Sequence, residues 1–196
     1  MFTERVQSRS QARESSRAKV LLAAEELFER QGFAETTIRQ IAEHAGVSVG
    51  TVMSVADKDG LLVAVFDQRI ARLQPPPAAP LTREDPVQEI VQMLAGFVNL
   101  FATHLESARA YTAILVGGRH SSAVFEGLAE ALVERVGEIL IRSGRDSTEA
   151  AAIARLVHRA YIGELFIWAG EGSPDPEPTV AELRRTVRYL VDGEVI

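Results

Sequence analysis

Residues 37–51 read TIRQIAEHAGVSVGT, and this stretch decides the fold. It holds two short segments with helical spacing of apolar residues, and Gly46 supplies a tight turn between them. Thr37 followed by Gln40 has the form of a capping box, which predicts the start of one helix, and Ser48 is predicted to cap the next. The stretch therefore indicates a helix-turn-helix.

The two helices of such a motif suit double-stranded DNA for a geometric reason. The first lies across the sugar-phosphate backbone, and the second enters the major groove by its N-terminal end. Here that end is the turn Ser48–Thr51, and Gly50 within it costs about 1 kcal/mol relative to alanine in a helix. Close approach of DNA would account for this glycine; the alternative is that Gly50 eases helix packing.

The spacing of apolar residues predicts helices along nearly the whole chain and no strand. We therefore expect an all-α protein of about nine helices, in which a small N-terminal three-helix unit is joined to a larger helical body. We place the N-terminal arm and helix-turn-helix at 1–57, a linking helix at 58–74 and the body at 75–196, where the proline-rich stretch 75–80 breaks the chain. Helix starts in the body are predicted at Asp85, Asp146 and Thr179.

The composition limits the possible classes of protein. The chain has 196 residues and no cysteine, which excludes disulfides and thiolate metal sites. Its net charge is -6, but residues 1–20 carry five basic and two acidic side chains, an excess of +3 beside the suspected DNA element. They form either a basic arm or a solvated, partly disordered tail before a helix expected from Ser16. No signal peptide or membrane span is found, which predicts a soluble, cytoplasmic protein.

Residues 17–70 resemble the N-terminal DNA-binding domain of the TetR family of repressors. The segments LFERQGFAETTIRQIAEHAGVSVGTV at 27–52 and DKDGLLVAVF at 57–66 carry the resemblance. It implies a homodimeric repressor that binds a pseudo-palindromic operator in double-stranded DNA and is released by a lipophilic small molecule. It also implies that the body at 75–196 is the ligand-binding and dimerisation domain. The residues themselves indicate no cofactor, no metal and no enzymatic activity. The alternative is a helical small-molecule-binding protein with a weakened or vestigial DNA-binding domain.

The resemblance also implies which residues touch DNA. Arg39 aligns with a position that can reach a base edge, unless it is an ordinary solvated arginine, and Val49 suits a thymine methyl. The segment 51–58 is one residue shorter than is usual in the family, and Met53 stands where a tyrosine is usual. Met53 cannot donate a hydrogen bond to phosphate and Ser54 can, so we expect a rearranged phosphate contact. The resemblance implies further phosphate contacts from Thr37, Thr51 and Lys58. The full set of implied DNA-binding residues is Thr37, Arg39, Ser48, Val49, Gly50, Thr51, Ser54 and Lys58.

The helix expected at about 147–169 carries few charges and presents two apolar faces. We assign one face to the interior of the body and the opposite face to a partner subunit. The predicted dimer contacts are Arg155, Ile162, Phe166, Leu183, Val187 and Leu190. Aromatic side chains of the body either form plain core or line an effector pocket. The predicted pocket residues are Phe97, Phe101, Tyr111, Phe125, Tyr161, Glu164 and Trp168.

Glu164 falls on the interior face, where an ionised carboxylate needs a partner. Three alternatives stay open: an internal arginine such as Arg109 or Arg119, an exposed position, or a pocket carboxylate that awaits a cationic ligand. The histidines are too scattered for a metal site, and we expect them at the surface or in the core; they include His104, His120 and His158. No arrangement of residues indicates an enzyme.

Overall fold

The computed structural model describes residues 2–73, 85–170 and 175–193. These residues form nine helices and no strand, which confirms the all-α prediction. The proline-rich stretch 75–80 lies outside the described residues. The helices are α1 (Phe2–Gln31), α2 (Ile38–Ala45), α3 (Val49–Val55), α4 (Lys58–Arg72), α5 (Pro86–Thr103), α6 (Leu105–Val116), α7 (Ala123–Arg142), α8 (Ser147–Gly170) and α9 (Pro176–Asp192).

The chain divides into two compact units. The N-terminal unit comprises Met1–Arg69 together with Glu106–Ser122, and the C-terminal unit comprises Ile70–Leu105 together with Ala123–Ile196. The boundaries proposed from the sequence, at 57/58 and 74/75, stay a prediction. They differ from this division because most of α4 and nearly all of α6 pack within the N-terminal unit.

Helix α1 begins at Phe2, well before the expected start at Ser16. The segment before Ser16 is therefore helical rather than a disordered tail, because neither glycine nor proline interrupts residues 2–31. Further along α1, Val20 and Ala24 are fully buried, and α1 packs against α2 and α3. A three-helix core thus holds the helix-turn-helix.

Helix α4 is fixed within this unit by a buried arginine. Arg69 is 6% exposed and donates to Glu25 Oε1 at 3.2 Å and to Glu29 Oε1 at 2.6 Å, both on α1. A charge so deeply buried needs such partners. The two ion pairs hold α4 against α1.

Helix α6 is tied to α4 by a second buried polar group. The Tyr111 hydroxyl donates to Asp67 Oδ1 at 2.9 Å, and Ser122 Oγ donates to the same oxygen at 2.6 Å. The Tyr111 ring stacks on Phe66 with the centroids 4.7 Å apart. The polar groups of this core are thus satisfied by one another.

The C-terminal unit is built from longer helices. Helix α5 packs against α7 and α9, and α8 packs against the same two helices. Asp85 caps α5 as predicted, since its side chain accepts from the Val87 N–H at 3.0 Å. Helix α9 begins at Pro176 and is capped by Asp175. The start predicted at Thr179 is therefore wrong by one turn, because Thr179 is a buried residue inside the helix.

The apolar face of α9 is used inside its own unit. Leu183 and Val187 are each 1% exposed, so they have no surface to offer a partner. Their assignment to a dimer interface is wrong because α9 lays this face on α5 and α8. None of the described helices is long and apolar enough to cross a membrane.

Candidate nucleic-acid interface and ligand cavity

Helix α2 is delimited by local hydrogen bonds. At its start, Thr37 Oγ1 accepts from the Gln40 N–H at 3.3 Å, and Gln40 Oε1 accepts from the Thr37 N–H at 2.9 Å, which is the predicted capping box. At its end, Gly46 adopts φ +66°, a left-handed conformation that favours glycine. The turn between the two helices therefore has a geometry set by a few adjacent residues.

The N-terminal turn of α3 is open to solvent. Ser48 caps the helix, since its Oγ accepts from the Thr51 N–H at 3.1 Å. Val49 is 47% exposed. A Cβ added at Gly50 would meet only Ser48 Oγ, at 3.7 Å, which is an ordinary contact. No packing within the unit requires Gly50, so the packing alternative loses its basis.

Two hydroxyl groups predicted to contact phosphate are engaged inside the motif. Thr37 Oγ1 donates to Gln40 Oε1 at 2.9 Å, and Ser54 Oγ donates to the Thr51 carbonyl at 2.7 Å. A hydroxyl has one proton to donate, so in this conformation neither has a proton left for phosphate. The expectation that Ser54 replaces the missing tyrosine contact is therefore not supported by this geometry.

Lys58 is also engaged inside the unit. Its Nζ donates to the Ala34 carbonyl at 3.0 Å and lies 4.5 Å from the centroid of the Phe33 ring. The peptide N–H of Ala34 donates in turn to Glu106 Oε1 at 3.2 Å. Lys58 of α4 and Glu106 of α6 thus bind the carbonyl and the N–H of the same residue, Ala34, in the turn between α1 and α2. Nothing in the sequence singled out Glu106, because its partner is a backbone group 72 residues away.

Other cationic groups of the unit have no internal partner. Arg39 is exposed and makes no hydrogen bond or ion pair within the described part of the chain, and the same holds for Arg13, Arg17 and Lys19. Met53 is 51% exposed, so it is not part of the core. The surface of α1, α2 and α3 therefore combines free positive charge with the open turn of α3.

The C-terminal unit contains a small apolar cavity of about 20 Å³. Four of the predicted pocket residues line it, and their binding of a ligand stays a prediction. Ile162, predicted at the dimer contact, also lines it and is half-buried, and its dimer contact stays a prediction. The lining residues are Ile70, Phe97, Phe101, Phe125, Leu128, Ala129, Leu132, His158, Tyr161, Ile162 and Leu165.

Three predicted pocket residues lie elsewhere. Tyr111 belongs to the N-terminal unit, as described above. Trp168 is buried and donates from its indole N–H to the Asp175 carbonyl at 3.3 Å, which fixes the start of α9. Glu164 is half-buried outside the cavity, and burial, with repulsion from Glu182, raises the pKa of its carboxyl group. A helical face cannot tell which residues meet a void enclosed by several helices, and for this reason the sequence did not show that these three residues lie outside this cavity.

Three large apolar side chains of α8 are exposed to solvent. Phe166 is 50% exposed, Ile167 is 65% exposed and Leu156 is 46% exposed, and Tyr189 of α9 is also open to solvent. Arg155 is exposed on the same helix, whereas Leu190 is half-buried. An exposed apolar face of this kind is typical of a surface that a partner covers.

The histidines do not form a metal site. Within the described ranges, no group of three His, Cys, Asp or Glu side chains is arranged to hold a metal ion. His120 pairs with Asp57 at 3.2 Å, and His158 lines the cavity. Sequence reasoning missed His158, although its position three residues before Tyr161 placed both on one face of α8.

These features define an all-α protein with an N-terminal helix-turn-helix. The family model described as bacterial regulatory proteins, tetR family, matches residues 20–65. The resemblance seen in the sequence is thereby confirmed: the chain carries the N-terminal domain of the TetR family and has the fold of its solved members. No curated protein sequence matches the chain.

Similar solved structures cover nearly the whole chain. A TetR transcriptional regulator from Rhodococcus sp. RHA1 has a TM-score of 0.64 at 19% identity, over 94% of this chain and 99% of that one. FadR from Thermus thermophilus, solved with lauroyl-CoA, has a TM-score of 0.61 at 22% identity, over 92% and 95%. BioQ, solved with its double-stranded DNA operator, has a TM-score of 0.58 at 23% identity, over 90% and 96%.

Proposed function

We propose that the protein is a transcriptional repressor that binds DNA as a homodimer and is released by a small molecule. The TetR-family match at residues 20–65 supports DNA binding. Similar folds were solved with a DNA operator in BioQ and with lauroyl-CoA in FadR, which supports the two kinds of ligand. On this proposal, α3 of each subunit enters one major groove of a pseudo-palindromic operator.

The open turn at the start of α3 is the observation that carries the proposal. Gly50 has no packing role in its own unit, and Val49 is exposed beside it. Both properties suit a helix end that approaches base edges closely, with the valine against a thymine methyl. Arg39, which has no partner among the described residues, would supply a hydrogen-bonding contact to a base.

The dimer would form through the exposed apolar face of α8, with Tyr189 of α9 at its side. Burial of Phe166 and Ile167 would remove from water the two large apolar side chains that α8 exposes most. Gly163 is exposed on the same helix and a Cβ there would meet nothing within 4 Å, so a partner helix could approach closely. This proposal keeps the predicted contact of Phe166 on α8 and leaves out Leu183 and Val187 of α9, which are buried in their own unit.

The first experiment finds the operator and tests Arg39. The protein is used to select duplexes from a random pool, and the enriched sequence is titrated by fluorescence anisotropy at several salt concentrations. We expect Arg39→Ala to cost about 1–3 kcal/mol and to relax the preference at one operator position. Arg30→Ala removes an exposed, unpaired arginine of α1 and should leave the preference unchanged. A pool without an enriched sequence would contradict sequence-specific binding.

A second experiment tests the reason for Gly50. Gly50→Ala should raise the free energy of unfolding by up to about 1 kcal/mol, because alanine favours the helix, and yet weaken operator binding. Gly137→Ala in α7, where a Cβ would meet nothing within 4 Å, is the control that should gain stability without losing affinity. Equal affinity of the Gly50 variant and the wild type would remove the close-approach argument.

One observation favours the alternative of a vestigial DNA-binding domain. Thr37, Ser54 and Lys58, all predicted to contact phosphate, direct their donors to groups of their own unit. The salt dependence of binding distinguishes the two functions, since a protein that contacts several phosphates loses affinity steeply as salt rises. Weak binding with a shallow salt slope would favour a small-molecule-binding protein.

A further inference from the structure

The cavity of the C-terminal unit has an unusual distribution of polar groups. Nine of its eleven lining residues are apolar, and none of the eleven is acidic, lysine or arginine. The two polar lining residues, His158 and Tyr161, lie one turn apart on the same face of α8. A ligand in this space would therefore meet aromatic and aliphatic walls and one polar strip.

Tyr161 brings a hydroxyl group to this strip. The residue is 3% exposed, and its hydroxyl makes no hydrogen bond within the described ranges. Buried tyrosine hydroxyls usually find a partner, because an unpaired polar group loses the hydrogen bonds that water would give it. Among the described residues, every side-chain polar atom that is completely buried has a hydrogen-bond partner. The Tyr161 hydroxyl has none, so it is not completely buried. Tyr161 lines the cavity, and the cavity is the space to which its hydroxyl is open.

His158 supplies the second polar group without adding a charge. It is half-buried and has no hydrogen bond or ion pair in the described part of the molecule. Burial, with the charge of Arg159, lowers the pKa of the imidazole, so the ring is neutral at pH 7 and above. A neutral imidazole has one donor and one acceptor nitrogen. The strip thus offers hydrogen bonds in both directions and no counter-charge.

We infer that this cavity binds an uncharged, largely apolar molecule that carries a single hydrogen-bonding oxygen, a carbonyl or a hydroxyl, held between Tyr161 and His158. This inference rests on the proposed function and names the ligand class of its effector site. An ammonium or carboxylate group would lose its hydration here and find no opposite charge. The cationic ligand considered from Glu164 is thereby excluded from this cavity, because Glu164 does not line it.

The cavity must enlarge when such a ligand binds. Its volume of about 20 Å³ is room for one water molecule. The lining rings of Phe97, Phe101 and Phe125 have to move apart, and α7 is the wall best able to yield. Gly127 lies in the part of α7 that lines the cavity, between Phe125 and Leu132. A Cβ there would meet nothing within 4 Å, so the glycine lowers the stability of the helix and is not required by close packing.

Binding of a matched series of probes to the full-length protein tests this inference without DNA. The probes share one phenylbutyl skeleton: 4-phenyl-2-butanone, 4-phenyl-1-butanol, 4-phenylbutanoate, 4-phenylbutylamine and the oxygen-free butylbenzene. Kd is measured at pH 7.5 by calorimetry, with the fluorescence of Trp168, the only tryptophan, as a second readout. We expect the ketone and the alcohol to bind at least about tenfold more tightly than the acid and the amine.

Two variants assign the oxygen of the ligand to its partners. Tyr161→Phe keeps the ring and removes the hydroxyl, so it should weaken ketone binding about tenfold and leave butylbenzene unchanged. His158→Phe should act in the same way on the alcohol. Butylbenzene is the internal control, since a variant that distorts the cavity would change its affinity too.

Several outcomes would overturn the inference. The acid or the amine could bind as tightly as the ketone, the Tyr161 variant could weaken every probe equally, or no oxygen-bearing probe could bind up to its solubility limit. The proposed function fails in a different way: probes that bind as expected but never change operator affinity would support the ligand class and remove the small-molecule response.

Discussion

Tyr111 in the N-terminal unit and Tyr161 in the C-terminal unit are both buried, yet their hydroxyl groups meet different surroundings. Tyr111 donates to Asp67 at 2.9 Å, and its ring stacks on Phe66. Tyr161 has no partner in the described ranges and lines a cavity. Burial, as the largest cause, raises the pKa of both phenols, so both stay protonated at neutral pH.

The difference shows where each unit keeps its capacity to bind. In the N-terminal unit, side-chain polar groups such as those of Arg69 and Glu106 bind other groups of the same unit. The groups that remain available to a ligand are the open turn of α3 and the cationic side chains without an internal partner. In the C-terminal unit, a polar strip is left inside an apolar cavity and apolar side chains are left on the surface of α8. The first pattern suits a rigid DNA-binding element, and the second suits a small ligand and a partner subunit.

The largest expected effect concerns the apolar surface of the C-terminal unit. Phe166→Glu places a charge in the proposed α8 interface, where burial without a partner is costly. We expect the dimer Kd to rise at least about a hundredfold, which corresponds to about 3 kcal/mol, and operator binding to fall with it. Analytical ultracentrifugation measures the assembly.

Ile141→Glu is the matched control for this variant. Ile141 of α7 is 51% exposed, as Phe166 is at 50%, but it lies outside the proposed interface. It should leave the dimer intact. If both variants stay dimeric and soluble, the interface lies elsewhere in the chain. The exposed apolar side chains of α8 would then not distinguish the C-terminal unit as the one that binds a partner subunit.

The two tyrosines themselves provide the next test. Tyr111→Phe should lower the free energy of unfolding by about 1–2 kcal/mol, because it leaves Asp67 with one hydrogen bond fewer inside the fold. Tyr161→Phe should leave the stability unchanged or raise it slightly, since it removes a hydroxyl without a partner. Urea denaturation measures both. Equal destabilisation by the two substitutions would show that Tyr161 is satisfied in solution and would end the contrast.

Local signals made much of the fold predictable from the sequence. The caps at Thr37, Ser48 and Asp85 depend on side chains within three residues of the backbone group that they bind, and all three predictions are confirmed. The same kind of signal was present at Asp175-Pro176, and the later start chosen at Thr179 overlooked it. Helix ends are predictable in this way because their chemistry is local.

The sites depended on contacts that no local pattern contains. Spacing placed Leu183 and Val187 on one apolar face, but it could not tell whether that face meets α5 and α8 or a second subunit. The cavity needs side chains from at least three helices at once, so a helical face alone did not predict that Ile162 lines it. The bond between Glu106 and Ala34 joins groups 72 residues apart. Such pairings arise only from tertiary packing.

Substitution of Glu164 has the smallest expected effect on stability. It also tests the conclusion that no acidic side chain lines the cavity. Burial, and next the charge of Glu182, raises the pKa of its carboxyl group in the folded state. Protonation therefore favours the folded state, and this carboxyl group makes the protein less stable as the pH rises from its ordinary pKa through the raised one. Glu164→Gln keeps the shape of the side chain and removes the charge.

The Glu164→Gln variant should melt slightly higher than the wild type at pH 7, and the difference should vanish at about pH 4, where an ordinary glutamate is itself close to half protonated. Thermal denaturation across this pH range measures it, with Glu130→Gln as the control, because Glu130 is an exposed carboxylate of α7 without an ion pair in the described part of the chain. The variant should bind 4-phenyl-2-butanone as the wild type does, since Glu164 does not line the cavity. A variant that gains no stability but loses ligand binding would place the carboxylate at the ligand, and the division between a charge-free cavity and a charged exterior would then be wrong.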